Sequence, residues 1–174
     1  TEQIQMDMGF HAFSYTDSSA YAAGLLSAIL GGTMSSRLFI AIRERLGLCY
    51  SIRASHQSFL DTGIFSIQSG LDKTRISEAL TAIMKELRKI KDGGVTTAEL
   101  KRAKENIKGR QALYWEDSEN VVSWFVGQEL LTKKILTPEE KLEKLFTVTK
   151  EDIHRVARQL FQTKNINIAI IGPY

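Results

Sequence analysis

Residues 31–52 read GGTMSSRLFIAIRERLGLCYSI. Two glycines stop one helix, Ser35 and Ser36 stand where they can cap the next, and Leu38, Phe39 and Ile42 recur at helical spacing to give it an apolar face. Gly47 permits a tight exit, and Tyr50 enters a run that alternates as a strand. Helix, helix and strand in immediate succession fold the chain back on itself. They carry Arg43, in the last helical turn, and Tyr50, at the start of the strand, to one end of a sheet. A guanidinium and a phenol placed there can both donate hydrogen bonds. By spacing alone, however, an arginine near a helix C-terminus complements the helix dipole and a tyrosine opening a strand packs.

Before this stretch, residues 3–10 alternate, with Ile4, Met6, Met8 and Phe10 on one side and Gln3, Gln5 and Asp7 on the other, the pattern of a strand with one buried face. Asp17 or Ser18 is expected to cap a helix carrying Tyr21, Leu25 and Ile29. After it, residues 49–60 and 64–70 read as a hairpin joined through Asp61, Thr62 and Gly63, with Gly63 expected at a positive φ. The period then becomes helical through Ile76, Leu80, Ile83, Leu87 and Ile90, until Asp92, Gly93 and Gly94 stop it. Thr96 with Glu99, Thr137 with Glu140 and Thr149 with Asp152 form three capping boxes, and Pro138 takes a first-turn position. Residues 165–172, NINIAIIG, predict a closing strand, buried by the continuity of its apolar residues. Strand, two helices, hairpin, several helices and strand predict an α+β fold, one sheet with helices packed on one face, a two-layer sandwich. With Pro138 and Pro173 the only prolines and no low-complexity stretch, residues 1–174 are expected to form a single domain.

Composition excludes several function classes. The 43 % hydrophobic and 25 % charged residues are those of a folded chain with a full core, and a net charge of +3 spread along the sequence provides no block for nucleic acid. The basic run 85–91 lies on the solvated end of a predicted helix. No apolar run approaches the ~20 residues that span a bilayer, so neither a nucleic acid nor a membrane is an expected partner. Cys49, the one cysteine, reads as a small buried hydrophobe. His11, His56 and His154 lie far apart without H-E-x-x-H or its inverse; His11 and His56 could meet in space, and His154 is expected to be exposed. No nucleophile elbow or phosphate loop occurs, and Trp115 and Trp124 read as packing anchors. The chain lacks an initiator Met and opens almost directly into a strand, which suggests a segment of something longer.

The motif Gly31, Gly32, Met34, Ser35, Ser36, Arg37, Leu38, Phe39, continued by Ile42, Arg43, Glu44, Gly47, Leu48, Tyr50 and Ser51, resembles the C-terminal halves of the insulinase or pitrilysin family of inverted zinc peptidases, including members like the mitochondrial processing peptidase. Gly9 and Phe10, the turn at 61–65, GVTTAEL at 94–100, VTKEDI at 148–153 and IIGP at 170–173 extend the likeness over nearly the whole chain. Thr33 departs from it, standing where a third glycine is frequent.

The resemblance implies half of a zinc metalloendopeptidase. In it, the first half would hold zinc and this second half would close over the substrate, so the cofactor is expected in the partner half and none in this chain. It further implies that Tyr50 hydrogen-bonds the scissile carbonyl oxygen and that Arg43 holds nearby substrate backbone, completing the site. The implied partners are the N-terminal zinc-binding half, in the same polypeptide or as a separate subunit, and a peptide or protein substrate; a homodimer stays open. The isolated chain is expected to be inactive. Two other readings stand beside this one: a non-catalytic scaffold or presequence-binding subunit of the same family, and a stand-alone peptide-binding module that works through a strand edge.

Overall fold

The structure is a computed structural model describing residues 3–172. The described residues form one antiparallel four-stranded sheet of order β2-β3-β1-β4, with β1 at Ile4–Ala12, β2 at Cys49–Ser58, β3 at Gly63–Leu71 and β4 at Asn167–Ile171. Six α-helices accompany it: α1 (Ser19–Gly31), α2 (Ile76–Gly93), α3 (Thr97–Tyr114), α4 (Ser118–Thr132), α5 (Pro138–Thr147) and α6 (Lys150–Leu160). The architecture is the α+β sandwich that the sequence predicts.

Alternation decides which face is covered. Met6, Met8 and Phe10 of β1, Phe65 and Ile67 of β3, and Ile52 and Ala54 of β2 point to the helices and are buried with Leu25, Leu26 and Leu30 of α1 and Ile153, Val156 and Ala157 of α6. Phe161 closes this core, with its ring edge-on to Phe10 at 5.2 Å and to Phe65 at 5.4 Å. Gln5, Gln57, Gln68 and Arg53 lie on the opposite, exposed face.

The three capping boxes form as expected. Thr96, Thr137 and Thr149 each accept from the backbone N–H three residues on, and Glu99, Glu140 and Asp152 each accept from the cap's own N–H in return. At α1 it is Asp17 that acts, its carboxylate accepting from Ser19 N at 2.7 Å, while Ser18 makes no side-chain cap bond.

Four local expectations are corrected. Gly63 does not take a positive φ; it is needed because a Cβ there would stand 2.8 Å from Phe13 N. His11 and His56 do not meet. His11 is exposed beside Ile64 on the open face, whereas His56 pairs with Phe65, faces the core side and is half-buried, and burial pushes its pKa down. His154 is also half-buried, its Nε2 lying 2.9 Å from the Lys91 carbonyl oxygen. Finally, β4 is exposed at all five positions. It pairs only with β1, at the sheet's edge, and the helices cover the sheet chiefly over β1, β3 and β2. Its run of isoleucines reads as buried only if something covers that edge. Pro173, the end of the IIGP stretch, lies outside the described residues.

Candidate functional site at the helix-to-strand junction

The junction departs from a regular helix. The helical segment begins at Arg37, and its residues Phe39–Arg45 form a π-helix. Ser36 stands at the expected cap position, its carbonyl accepting from Ile40 N at 3.0 Å, but its hydroxyl turns away: Ser36 Oγ donates to the Thr33 carbonyl at 2.6 Å, and Ser35 N donates to Thr33 Oγ1 at 3.3 Å, so Thr33 organises the turn. Leu38 and Ile42 are fully buried, and their neighbour Arg43 turns outward with its guanidinium 4.9 Å from the centre of the Phe39 ring. Wide π-turns are uncommon and often mark functional positions.

Gly47, with φ +59, makes the exit, and its N–H donates to the Arg43 carbonyl while Leu48 N donates to Ile42 O at 2.9 Å. β2 then begins with an irregularity. Cys49 pairs with Leu71 and Ser51 with Gly70, so Tyr50 is the extra, unpaired residue of a β-bulge. A bulge breaks the in-and-out alternation and re-aims one side chain. Cys49 can therefore point into the core and Ser51 to the open face, while Tyr50 stands 58 % exposed between them. Arg43 is exposed as well, and its charge reaches Cys49, whose thiol burial nonetheless pushes up to about 11. Arg43 and Tyr50 thus sit on consecutive elements at one end of the sheet, both open to solvent. The sequence offers no sign of the π-turn or the bulge.

The rest of the motif holds this junction to the body. Arg37 Nε donates to Glu99 Oε1 at 2.6 Å, and Arg37 Nη2 donates to Glu99 Oε2 at 2.9 Å and to the Gly94 carbonyl at 3.0 Å. Glu99 Oε2 also accepts from Thr96 N at 2.8 Å and Thr96 Oγ1 at 2.9 Å. Two stretches far apart in sequence, SSRLF and GVTTAEL, are in this way parts of one fixture. The Arg37 guanidinium, opposed in part by burial and helped by Thr96, holds the Glu99 carboxyl down at about 2 from its usual 4.5.

A carboxylate depressed in the folded state stabilises the fold above its unfolded pKa, and that stability drains away as pH falls from 4.5 toward 2. Both side chains keep about a fifth of their surface in water, 19 % and 21 %, so solvent screening trims the effect to about 2 kcal/mol. Denaturant unfolding between pH 5 and pH 2 is expected to show the native chain losing that much more stability than Glu99→Gln. Parallel pH profiles would mean that the pair contributes nothing.

Among the described residues no group of three or more His, Cys, Asp or Glu side chains could hold a metal ion. The separation of His11 from His56 across the sheet removes the one histidine pairing that the sequence left open. The described side chains do not fit a resident zinc. A cleft of about 340 Å³ lies behind the junction between Thr33, Met34, Ser35 and Arg102, and one of about 480 Å³ lies along α6 beside His154 and Arg158. Neither is lined by Arg43 or Tyr50.

The family model described as the peptidase M16 inactive domain matches residues 1–107. The chain belongs to this family. An uncharacterized zinc protease of Bacillus subtilis is 35 % identical to the M16 domain over 173 residues, which is 99 % of this chain and 42 % of that protein. One from Streptomyces coelicolor is 31 % identical over 173 residues, 99 % of this chain and 38 % of that protein. The M16 domain therefore spans about two-fifths of the length of the curated relatives it matches. In structure it is similar to a protease from Helicobacter pylori, with a TM-score of 0.88 and 22 % identity, covering 99 % of this chain and 42 % of that one. At that identity the likeness shows a shared fold.

Proposed function

We propose that residues 1–174 act as one domain, the substrate-clamping half of a zinc metalloendopeptidase, with the metal held by the remainder of the parent protein or by a partner subunit. The observation that supports this most directly is the bulge at Tyr50 next to the π-turn that carries Arg43. Two local irregularities, each with a cost in regular hydrogen bonding, present a phenol and a guanidinium to solvent at the same end of the sheet. Membership of a family whose relatives are named zinc proteases supports this reaction class.

Hydrolysis of a peptide builds negative charge on the scissile carbonyl oxygen, and a phenolic O–H is a donor suited to it. Arg43 serves a different end. Its guanidinium can donate to two backbone carbonyls of an extended substrate at once. The stacking of Arg43 on Phe39 limits how far the guanidinium wanders before substrate arrives.

Assayed in the full-length parent, Arg43→Ala is expected to lower kcat/KM on a peptide by roughly tenfold or more, the scale of a charge-assisted hydrogen bond, and to do so chiefly through KM. An unaltered kcat/KM would remove Arg43 from the clamp. Arg43→Lys should restore only part of the loss, because an ammonium cannot reproduce the fork.

A further inference from the structure

Helix α4 reads as a core helix by composition and is not one. Ser118–Thr132 has the sequence SENVVSWFVGQELLT, with two acids and none of the chain's 23 lysines and arginines, yet none of its residues is buried. One side of the helix is spent on its own connection. Trp124 Nε1 and Gln128 Nε2 both donate to the Leu136 carbonyl, Lys141 Nζ lies 3.9 Å from the centre of the Trp124 ring, and Trp115 meets Trp124 edge-on at 4.8 Å. The other side carries Val122, Phe125, Val126 and Leu130, spaced three and four apart on one stripe, with Val122 60 % and Leu130 74 % exposed. Leu113, at the end of α3, is also 68 % exposed. The helical excursion joins the core only through residues before Lys108 and after Lys141, at Leu100, Ala103 and Ile107 on one side and Leu142 and Leu145 on the other.

We infer that the Val122–Phe125–Val126–Leu130 stripe of α4 is a docking surface for the part of the parent polypeptide outside this chain, which meets it with an apolar face of its own. Aromatic and aliphatic side chains without lysine or arginine are the chemistry of an interface core. The relatives are more than twice the length of this chain, so more than half of each lies outside the matched part. Area favours that occupant over a second copy. Four side chains offer on the order of a few hundred Å², short of the ~800 Å² per partner found in stable interfaces between separate proteins. A covalently tethered partner, present at an effective concentration near millimolar, needs far less. The inference rests on the family membership and is independent of the roles of Arg43 and Tyr50.

The test compares the full-length parent with the 174-residue chain by thermal unfolding and by hydrogen exchange of residues 118–132, for the native sequence and for the double variant Val122→Asp, Leu130→Asp. The expected result has α4 amides exchanging roughly tenfold or more slowly in the parent than in the chain. The double variant should then erase that protection and lower the parent's Tm by roughly 4 °C or more while leaving the chain's Tm in place. Equal exchange in both proteins, or a parent Tm that ignores the charges, overturns the inference. So does an equal fall in both, which would make the stripe part of this chain's own core. If sedimentation shows the chain to be a dimer that the double variant dissociates, the occupant is a second copy and the inference is again overturned. In the parent alone, α4 amides that exchange as freely as an unprotected segment decide against it, whether or not the isolated chain folds.

Discussion

Tyr50→Phe, made in the full-length parent, is expected to lower kcat by roughly 10²-fold with little change in KM. The substitution removes one oxygen and leaves the ring, so the bulge and the strand register are kept. A donor aimed at the oxygen on which charge develops strengthens as the transition state forms, and its loss therefore falls on turnover more than on binding. The side chain is 58 % exposed, so it is not held by core packing, and its loss of hydroxyl should not cost stability. An unchanged Tm alongside the kinetic loss separates the catalytic reading from a structural one. Unchanged turnover would take Tyr50 out of the reaction and leave the bulge unexplained.

The second large effect concerns the fold that aims the site. Gly31→Ala is expected to destabilise the chain by about 3 kcal/mol, at the upper end of what overpacking a filled interior costs. The helix end at Gly31 runs against β2, and a Cβ there would collide with the Ala54 backbone nitrogen and come within 2.8 Å of the Arg53 carbonyl carbon. Both are backbone atoms of a paired strand, so neither can swing aside as a flexible side chain would. Gly24, seven residues earlier in the same helix, has nothing within 4 Å of its would-be Cβ. Gly24→Ala should therefore stabilise, by about 0.5–1 kcal/mol, because only backbone entropy is at stake. Urea denaturation of the two variants gives opposite signs if close packing, and not helix propensity, explains Gly31.

Legibility followed the range of the physics. The capping boxes at Thr96, Thr137 and Thr149 could be read directly, since donor and acceptor lie three residues apart on one chain. The α2 stripe and the β1 alternation were legible for the same reason: period alone assigns the face. The stop at Gly31 was visible, but its cause was not. The glycine answers to Ala54, a residue on another element, and not to a positive φ. The same holds for Ser36, which looks like a cap until Thr33 takes its hydroxyl.

The candidate site was half legible. The resemblance singled out Arg43 and Tyr50, and both prove to be exposed at the junction, while the geometry that aims them came only from the fold. The π-turn lies where Leu38 and Ile42 are buried against the body, and the bulge lies where β2 pairs with Leu71 and Gly70. Neither partner is announced in residues 31–52. The exposure of β4 and of the α4 stripe is illegible for another reason. Apolar runs announce that a surface is to be covered, without saying whether the cover lies in the same chain.

The most direct test of the central claim is the chelator sensitivity of peptide cleavage, measured with a quenched fluorescent peptide on the full-length parent and, beside it, on the 174-residue chain. The account predicts cleavage by the parent that is lost on chelation and restored by zinc, and no cleavage by the chain at any zinc concentration. Cleavage by the isolated chain, cleavage by the parent that chelation leaves intact, or a zinc-loaded parent that cleaves no peptide would contradict it.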